Sequence, residues 1–418
     1  MSQNTIVLIG TLDTKGEEIQ FAKEIIEGRG VGVHVVDVGV MGDPEFEPDT
    51  PAAAVAEAAG EDLERLREDG DRGAAMDAMG RGAAEVASRL HDDGVLDGVL
   101  GLGGSGNTSV ATAAMRALPV GVPKFMVSTV ASGDTEPYVD ATDIAMMYSV
   151  ADIEGLNQLS RRIIANAALA TVGMVANEAD FETEEKPTVG ITMFGVTTPC
   201  VRTAREYLEE RGFETIVFHA TGTGGRAMEE LVRQGIVDCV LDVTTTEWAD
   251  EHVGGVFGAG PDRLDAPGEM GIPHVVSVGA LDMVNFGPPD SVPEKFDGRT
   301  FHHHNPQVTL MRTTSEENRE IGEIIAGKLN DAGGPVAVFL PLRGVSQIDV
   351  EGEDFHDPEA DEALFDALRE SLDSDVDLVE MDAAINDESF ALALAERVEQ
   401  FVGAGDPDSA AVGGESDA

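Results

Sequence analysis

Three short segments place chemistry-bearing residue types at the ends of apolar runs. Gly101–Ser109 reads GLGGSGNTS, after the apolar run Val95–Leu100 and before a helix predicted over Val110–Leu118. A glycine-bearing turn from strand to helix lets backbone N–H groups approach an anion, and the helix N-terminus adds a favourable dipole. Gly103, Gly104, Ser105, Gly106, Asn107 and Thr108 are therefore candidates for cradling phosphate. No Gly-Lys-Ser/Thr ends the segment, so it is not a Walker A loop, and it lacks GxGxxG in the usual register. The second segment, Gly10–Glu18 (GTLDTKGEE), supplies Asp13, Thr14 and Lys15, and Lys15 is one of only six lysines. A compact ammonium there would neutralise phosphate charge, while Asp13 would cap the helix or meet Mg²⁺ through water. The third, Val127–Thr135 (VSTVASGDT), supplies Ser128, Thr129, Ser132, Gly133 and Asp134, the last a further Mg²⁺ candidate. In a parallel sheet all three loops converge on one edge, which says more than any one of them alone.

The second half of the chain offers a different set. His219–Met228 (HATGTGGRAM) repeats the glycine-loop-to-helix pattern, with Gly224, Gly225 and Arg226 as candidate contacts to an anionic substrate. Asp242–Glu247 (DVTTTE) and Asp282–Gly287 (DMVNFG) close two further runs and add Asp242, Thr245, Glu247 and Asn285. Cys200 lies beside a helix start, where a thiolate is favoured, although a small buried cysteine is the alternative. His302 and His304 alternate in FHHHN and so share a side, as bases, substrate contacts or surface residues. A metal site there would need further ligands, and none is assigned. Cys200, His219, Asp242, Glu247, His302 and His304 are the candidate catalytic groups.

These residues are positioned by a pattern that the chain states twice. Thr5–Gly10 reads as a strand, Leu12–Lys15 as a polar turn, Gly16–Arg29 as an amphipathic helix and Val31–Val38 as a second strand. From residue 188, TVGITMFG, VTTPC, VRTAREYLEERG and FETIVFHATG follow the same order. GVLDGVLGLGGSGNTS with GVPKFMVSTVASGD likewise has a partner in GIVDCVLDVTTTEWAD with GIPHVVSVGALDMV. Apolar strands alternating with helices predict an α/β protein: two Rossmann-like domains, internally duplicated, with mainly parallel sheets and a cleft between the domains. The predicted domains are residues 1–183 and 184–403, joined by the acidic Asn177–Pro187 and followed by a disordered tail, 404–418. Residues 44–71 read as a loop plus an exposed helix.

Composition narrows the class further. The 418 residues carry 79 acidic against 27 basic side chains, a formal net charge of -52. Self-repulsion of that size is tolerable where salt screens it, so the surface is expected to be halophilic, of the haloarchaeal kind. Nucleic-acid binding through the general surface is disfavoured, because backbone contacts need basic patches. No run of 18 apolar residues predicts a membrane span. Two cysteines without a disulfide framework, and no secretory leader pattern, predict a cytoplasmic protein.

Taken in order, GTLDTKGEE, GGSGNTS, VSTVASGDTEPYV, TVGITMFGVTTPCV, FHATGTGGRAME, LDVTTTE, SVGALDMVNFGP, HNPQVTLMRTT and LPLRGVSQID resemble the ATP-binding domain family named after the tomato mosaic virus resistance protein. The resemblance covers residues from about 3 to 402. It implies two Rossmann-like domains, ATP as the nucleotide, and self-association, expected as a dimer or tetramer; Mg²⁺ as the companion of ATP rests on Asp13 and Asp134 and not on the resemblance. It implies no reaction. The middle histidine of FHHHN departs from the family pattern, which shifts weight to His302 and His304. The expectation is thus an ATP-binding protein with its phosphates on the glycine-bearing loops of the first domain. Its rivals are an enzyme acting on a small anionic metabolite in the cleft, and a non-catalytic interaction protein whose oligomer the nucleotide stabilises.

Overall fold

The computed structural model describes residues 4–177 and 186–405, without the side chains of 404 and 405. Most of the expected linker, and the expected tail beyond residue 405, lie outside the described residues. The chain divides into two units, Met1–Glu182 and Thr183–Ala418.

In the first unit the elements run β1 (Thr5–Gly10), α1 (Leu12–Glu27), β2 (Gly32–Asp37), α2 (Ala52–Ala58), α3 (Leu63–Asp69) and α4 (Arg72–Asp92). They continue as β3 (Gly98–Gly103), α5 (Ser105–Arg116), β4 (Lys124–Ser128), α6 (Glu136–Val139), β5 (Ala145–Tyr148) and α7 (Gln158–Ala176). The five strands form one parallel sheet in the order β2-β1-β3-β4-β5. Alternate side chains divide between two cores. Val7, Ile9, Val36 and Val99 pack under α2, α4 and α5, while Ile6, Leu8, Val35 and Leu100 pack under α1 and α7. Burial on both faces explains why these strands read as unbroken apolar runs.

The second unit contains β6 (Thr188–Met193), α8 (Thr198–Glu209), β7 (Glu214–His219), α9 (Thr223–Arg233), β8 (Cys239–Thr244), α10 (Glu247–Val253), α11 (Ala266–Met270) and β9 (His274–Gly279). Then follow β10 (Met283–Phe286), β11 (Phe301–Asn305), β12 (Val308–Arg312), α12 (Ser315–Asn330), β13 (Val336–Pro341), α13 (Pro358–Ser371), β14 (Asp377–Met381) and α14 (Glu388–Gly405). Its parallel sheet runs β7-β6-β8-β9-β13-β14, so its first four strands take the order 2-1-3-4 of the first unit. The duplication is also visible in single bonds. Asp97 Oδ2 accepts from Thr5 N at 2.6 Å, and Asp238 Oδ2 accepts from Thr188 N at 2.8 Å, each aspartate standing before the third strand of its unit.

Several sequence expectations are corrected. Residues 12–15 are not a turn: α1 starts at Leu12, with a kink at Lys15 (φ -134°, ψ 22°). β3 spans Gly98–Gly103 rather than Val95–Leu100, and α5 starts at Ser105 rather than Val110. The long glycine loop therefore shrinks to Gly104. Residues 195–197 form a 3₁₀ turn and α8 begins at Thr198, inside the expected turn. Met283–Phe286 is a strand, the edge of an antiparallel sheet β10-β12-β11, rather than a strand-end loop. Residues 44–71 hold two short helices rather than one: α2 buries Ala52, Val55 and Ala56, whereas α3 buries only Leu63 and is the exposed helix expected there.

Candidate functional site

A sheet in the order 2-1-3-4-5 has its topological switch point between β1 and β3, where the chain leaves the two strands in opposite directions and opens a crevice at their carboxyl ends. A cavity of about 390 Å³ lies there. Thr11, Asp13, Thr14 and Lys15 enter it from β1 into α1; Gly103, Gly104, Ser105, Gly106 and Asn107 enter from β3 into α5. The loop after β2 brings Val38, Val40 and Met41, α4 brings Arg72 and Met76, and Asp152 completes the wall. Two basic groups (Lys15, Arg72) thus face two acidic ones (Asp13, Asp152), which makes this wall far less negative than a chain of charge -52.

The glycines of β3 and α5 do two different things. A Cβ at Gly101 would meet Met126 Sδ at 2.6 Å and Ala111 Cβ at 2.8 Å, and one at Gly103 would meet Asn107 Cβ at 2.7 Å. These two are small so that α5 can lie against the sheet. A Cβ at Gly104 or Gly106 would come no nearer than ordinary contact, 3.8 Å and 3.6 Å, and both residues border the cavity. Gly104 is the residue before α5 and no side chain caps the helix. The first protein-bound amide of α5 is Thr108 N, which donates to Gly104 O at 2.9 Å. The earlier amides, of Ser105, Gly106 and Asn107, are the orphan donors that make a helix start attractive to anions.

Other candidates in this unit are committed to the protein itself. Asn107 Nδ2 donates to Leu102 O at 2.5 Å, and its Oδ1 is buried without a partner. Thr108 Oγ1 bonds Gly104 O at 2.9 Å and Ser128 Oγ at 2.7 Å, and both side chains are buried. Thr108 and Ser128 therefore hold the strand ends in place and do not reach a ligand. Thr129 lies beside Gly104. Ser132, Gly133 and Asp134 are exposed, and Asp134 Oδ1 accepts from Glu136 N at 3.1 Å, so this loop adds nothing to the cavity wall. Asp13 caps no helix. Its Oδ2 accepts from Met41 N at 2.7 Å and Gly42 N at 3.0 Å, anchoring the loop after β2, while Oδ1 is buried and unpartnered. Arg72 was not singled out by sequence, because it sits at the start of a helix with no motif around it.

In the second unit, most candidate catalytic groups turn out to be structural. Arg263, fully buried, donates through Nε to Glu247 Oε2 at 2.7 Å, and through Nη1 to Asp242 Oδ2 at 3.0 Å and Glu229 Oε1 at 3.2 Å. Asp242 also accepts from Thr192 Oγ1 at 2.8 Å and bonds His274 Nε2 at 2.9 Å. Burial would raise the Asp242 carboxyl, but the Arg263 guanidinium and His274 hold it well below the usual range. Glu247 is pushed up by burial, against the pull of Arg263. Its Oε1 accepts from Gly222 N at 2.8 Å and Gly225 N at 3.0 Å, so the N-terminus of α9 is already filled by a carboxylate of the same chain. Gly224 and Gly225 are held against His219 and Glu247 by close approach, and Arg226 Nη1 donates to Gly258 O at 3.3 Å. Thr245 donates to Ser277 O at 3.1 Å, and Asn285 Nδ2 to Asp250 Oδ2 at 2.6 Å, both buried. The thiol of Cys200 is buried in the core under α8 and α14 and pushed up to about 12 by that burial, the opposite of an activated nucleophile. Cys239 is a buried core residue of β8.

The candidate histidines His219, His302 and His304 stand apart from this ionic core. His302 Nδ1 bonds Asp354 Oδ2 at 2.8 Å. His219 and His304 line a cavity of about 210 Å³ with Phe194, Gly195, Val196, Thr221, Phe257, Asn305, Val308 and Leu310. Of the six catalytic candidates, that cavity brings two together, and Cys200, Asp242 and Glu247 are packed elsewhere. Among the described residues no group of three His, Cys, Asp or Glu side chains has metal-binding geometry, and no helix is long and apolar enough to cross a membrane.

Fold and cavities together define a duplicated, two-unit α/β protein whose first unit carries a strand-end cavity at its switch point. Residues 4–180 match the N-terminal domain, and residues 186–402 the C-terminal domain, of an uncharacterised protein family, UPF0261; the chain belongs to that family. A UPF0261 protein of Clostridium tetani is 55% identical over 394 residues, 94% of this chain and 98% of that one. The ToMV resistance protein Tm-1 of tomato, Solanum lycopersicum, is 44% identical over 94% of this chain, which spans 55% of the tomato protein. Among solved structures, a UDP-N-acetylglucosamine 2-epimerase from Rickettsia bellii aligns over 96% of both chains at 11% identity, with a TM-score of 0.23, a likeness that bears on no function of this chain.

Proposed function

We propose that the first unit binds a nucleotide, with ATP the expected one, its phosphates resting on the N-terminus of α5. The observation that carries this reading is the uncapped start of α5 opening into the 390 Å³ cavity that also holds Lys15 and Arg72. The free amides of Ser105, Gly106 and Asn107 supply donors and the helix dipole supplies partial positive charge. Lys15 and Arg72 neutralise phosphate, and Val38, Val40, Met41 and Met76 give the same cavity an apolar side for a base. In the second unit the glycine-bearing helix start, that of α9, already holds the Glu247 carboxylate, so the reading is confined to the first unit. Mg²⁺ fits as a companion of the phosphates, because Asp13, whose Oδ1 has no partner, and Asp152 both line the cavity. A cation held by one or two carboxylates plus phosphate needs no all-protein cage.

Calorimetric titration with ATP, ADP, AMP and adenosine, with and without Mg²⁺ and from dilute buffer to molar KCl, tests the proposal. Affinity that rises with the number of phosphates supports it. Absence of heat at millimolar ATP under every salt condition refutes it. Gel filtration of the same samples, with an assay for released phosphate, distinguishes a bound nucleotide that only stabilises a homo-oligomer from one that is turned over.

A further inference from the structure

The cavity of the second unit is a different kind of space from that of the first. It sits beyond the carboxyl ends of β6 and β7 and is roofed by β11 and β12. Phe194, Val196, Phe257, Val308 and Leu310 make its wall almost wholly apolar. Phe194 stands edge-on to Phe257 (ring centroids 6.2 Å) and to His219 (5.5 Å), so rings already frame the space. At about 210 Å³ it exceeds the roughly 150 Å³ apolar cavity that accepts benzene. The polar groups are confined to His219, His304, Asn305 and Thr221. Neither the His219 nor the His304 imidazole has a hydrogen-bond partner among the described residues, and both residues are exposed.

An apolar cavity ringed by aromatic edges favours a planar hydrocarbon group, because offset and edge-to-face ring contacts add to the burial of apolar area. Two unengaged imidazoles at its rim offer N–H donors to an acceptor carried by that group. We infer that the second unit holds a small-molecule site of its own, for an aromatic ring bearing a carboxylate. His304 and His219 receive the carboxylate, and Phe194, Phe257, Val308 and Leu310 enclose the ring. The inference is independent of nucleotide binding in the first unit.

Gly195 supplies the test, since a Cβ there meets nothing within 4 Å and its backbone is not left-handed. Gly195→Leu therefore fills the cavity without straining the fold, and an unchanged circular-dichroism melt verifies this. The probes are benzoate and toluene at about 10 mM, well above a millimolar Kd, read by saturation-transfer NMR on the full chain. Transfer to both probes is expected, lost in Gly195→Leu and retained in Lys15→Ala. His304→Ala, on the exposed rim, is expected to weaken benzoate about tenfold or more, the value of a hydrogen bond to a charged group, while sparing toluene. The inference is overturned if neither probe shows transfer. It is equally overturned if Gly195→Leu binds benzoate as the parent does, or if Lys15→Ala abolishes benzoate binding.

Discussion

Glu247 and Arg263 meet at 2.7 Å with both side chains withdrawn from solvent, and their bond ties the start of α10 to the segment between α10 and α11. Asp242 and Glu229 share the same guanidinium. Removing the cation would leave three buried carboxylates without their shared guanidinium, and breaking a buried pair in that way costs about 3–5 kcal/mol. Arg263→Leu is therefore expected to lower the unfolding free energy by at least that amount in urea titrations, whereas loss of the exposed Arg65–Asp69 pair should change it by less than about 1 kcal/mol.

Asp250 gives stability a pH dependence of known sign. Its carboxyl, buried against Asn285 and Phe257, is pushed up by that burial from 3.8 to about 7. Between those values the folded protein holds a proton that the unfolded chain has released, so this contribution to stability is fully present at low pH. It declines as pH rises and is lost by about pH 7. Asp250→Asn keeps acceptor capacity for Asn285 N and Phe257 N, and its amide can donate to the unpartnered Asn285 Oδ1. The parent's unfolding free energy should therefore fall relative to Asp250→Asn from about pH 4 to pH 7 and run parallel above it. A difference that grows in the opposite direction contradicts the assignment.

Cys200 should be inert in the folded chain. With a buried thiol raised to about 12, iodoacetamide at pH 8 is expected to leave it unmodified until denaturant is added, as mass spectrometry of the intact protein will show.

The two classes of glycine separate by substitution. Gly106→Ala places a methyl at ordinary contact distance from Arg72 and Met76, so the fold should survive while the cradle is partly filled; ATP affinity falls and the melting temperature holds. Gly103→Ala forces Cβ to 2.7 Å from Asn107 Cβ, and should lower the melting temperature first. Lys15→Ala should weaken ATP by roughly 10- to 100-fold, the value of a charge-assisted hydrogen bond, without altering stability.

Much of the sheet was legible because fully buried parallel strands are apolar throughout. Thr5–Gly10 was read to the residue, and the repeat between the halves reappears as a shared strand order. The helix starts were not legible. Thr11–Lys15 is mostly polar and Ser105–Thr108 is polar and glycine-bearing, which in sequence means a loop, yet at the carboxyl ends of these strands both segments are helix starts that face the cavity. The ionic core around Arg263 was invisible for another reason. Its carboxylates Glu229, Asp242 and Glu247, and His274 on Asp242, are scattered along the chain without periodicity, so Asp242 and Glu247 look catalytic in isolation. Arg312, which gathers Asp349 and Asp361, was missed in the same way.

A crystal structure of the chain soaked with a non-hydrolysable ATP analogue tests the central claim most directly. The account predicts phosphate density over the Ser105, Gly106 and Asn107 amides, within hydrogen-bond distance of Lys15 Nζ, and the base toward Val40 and Met76. Analogue density found only in the second unit, or a first-unit cavity left empty at saturating analogue, would contradict it.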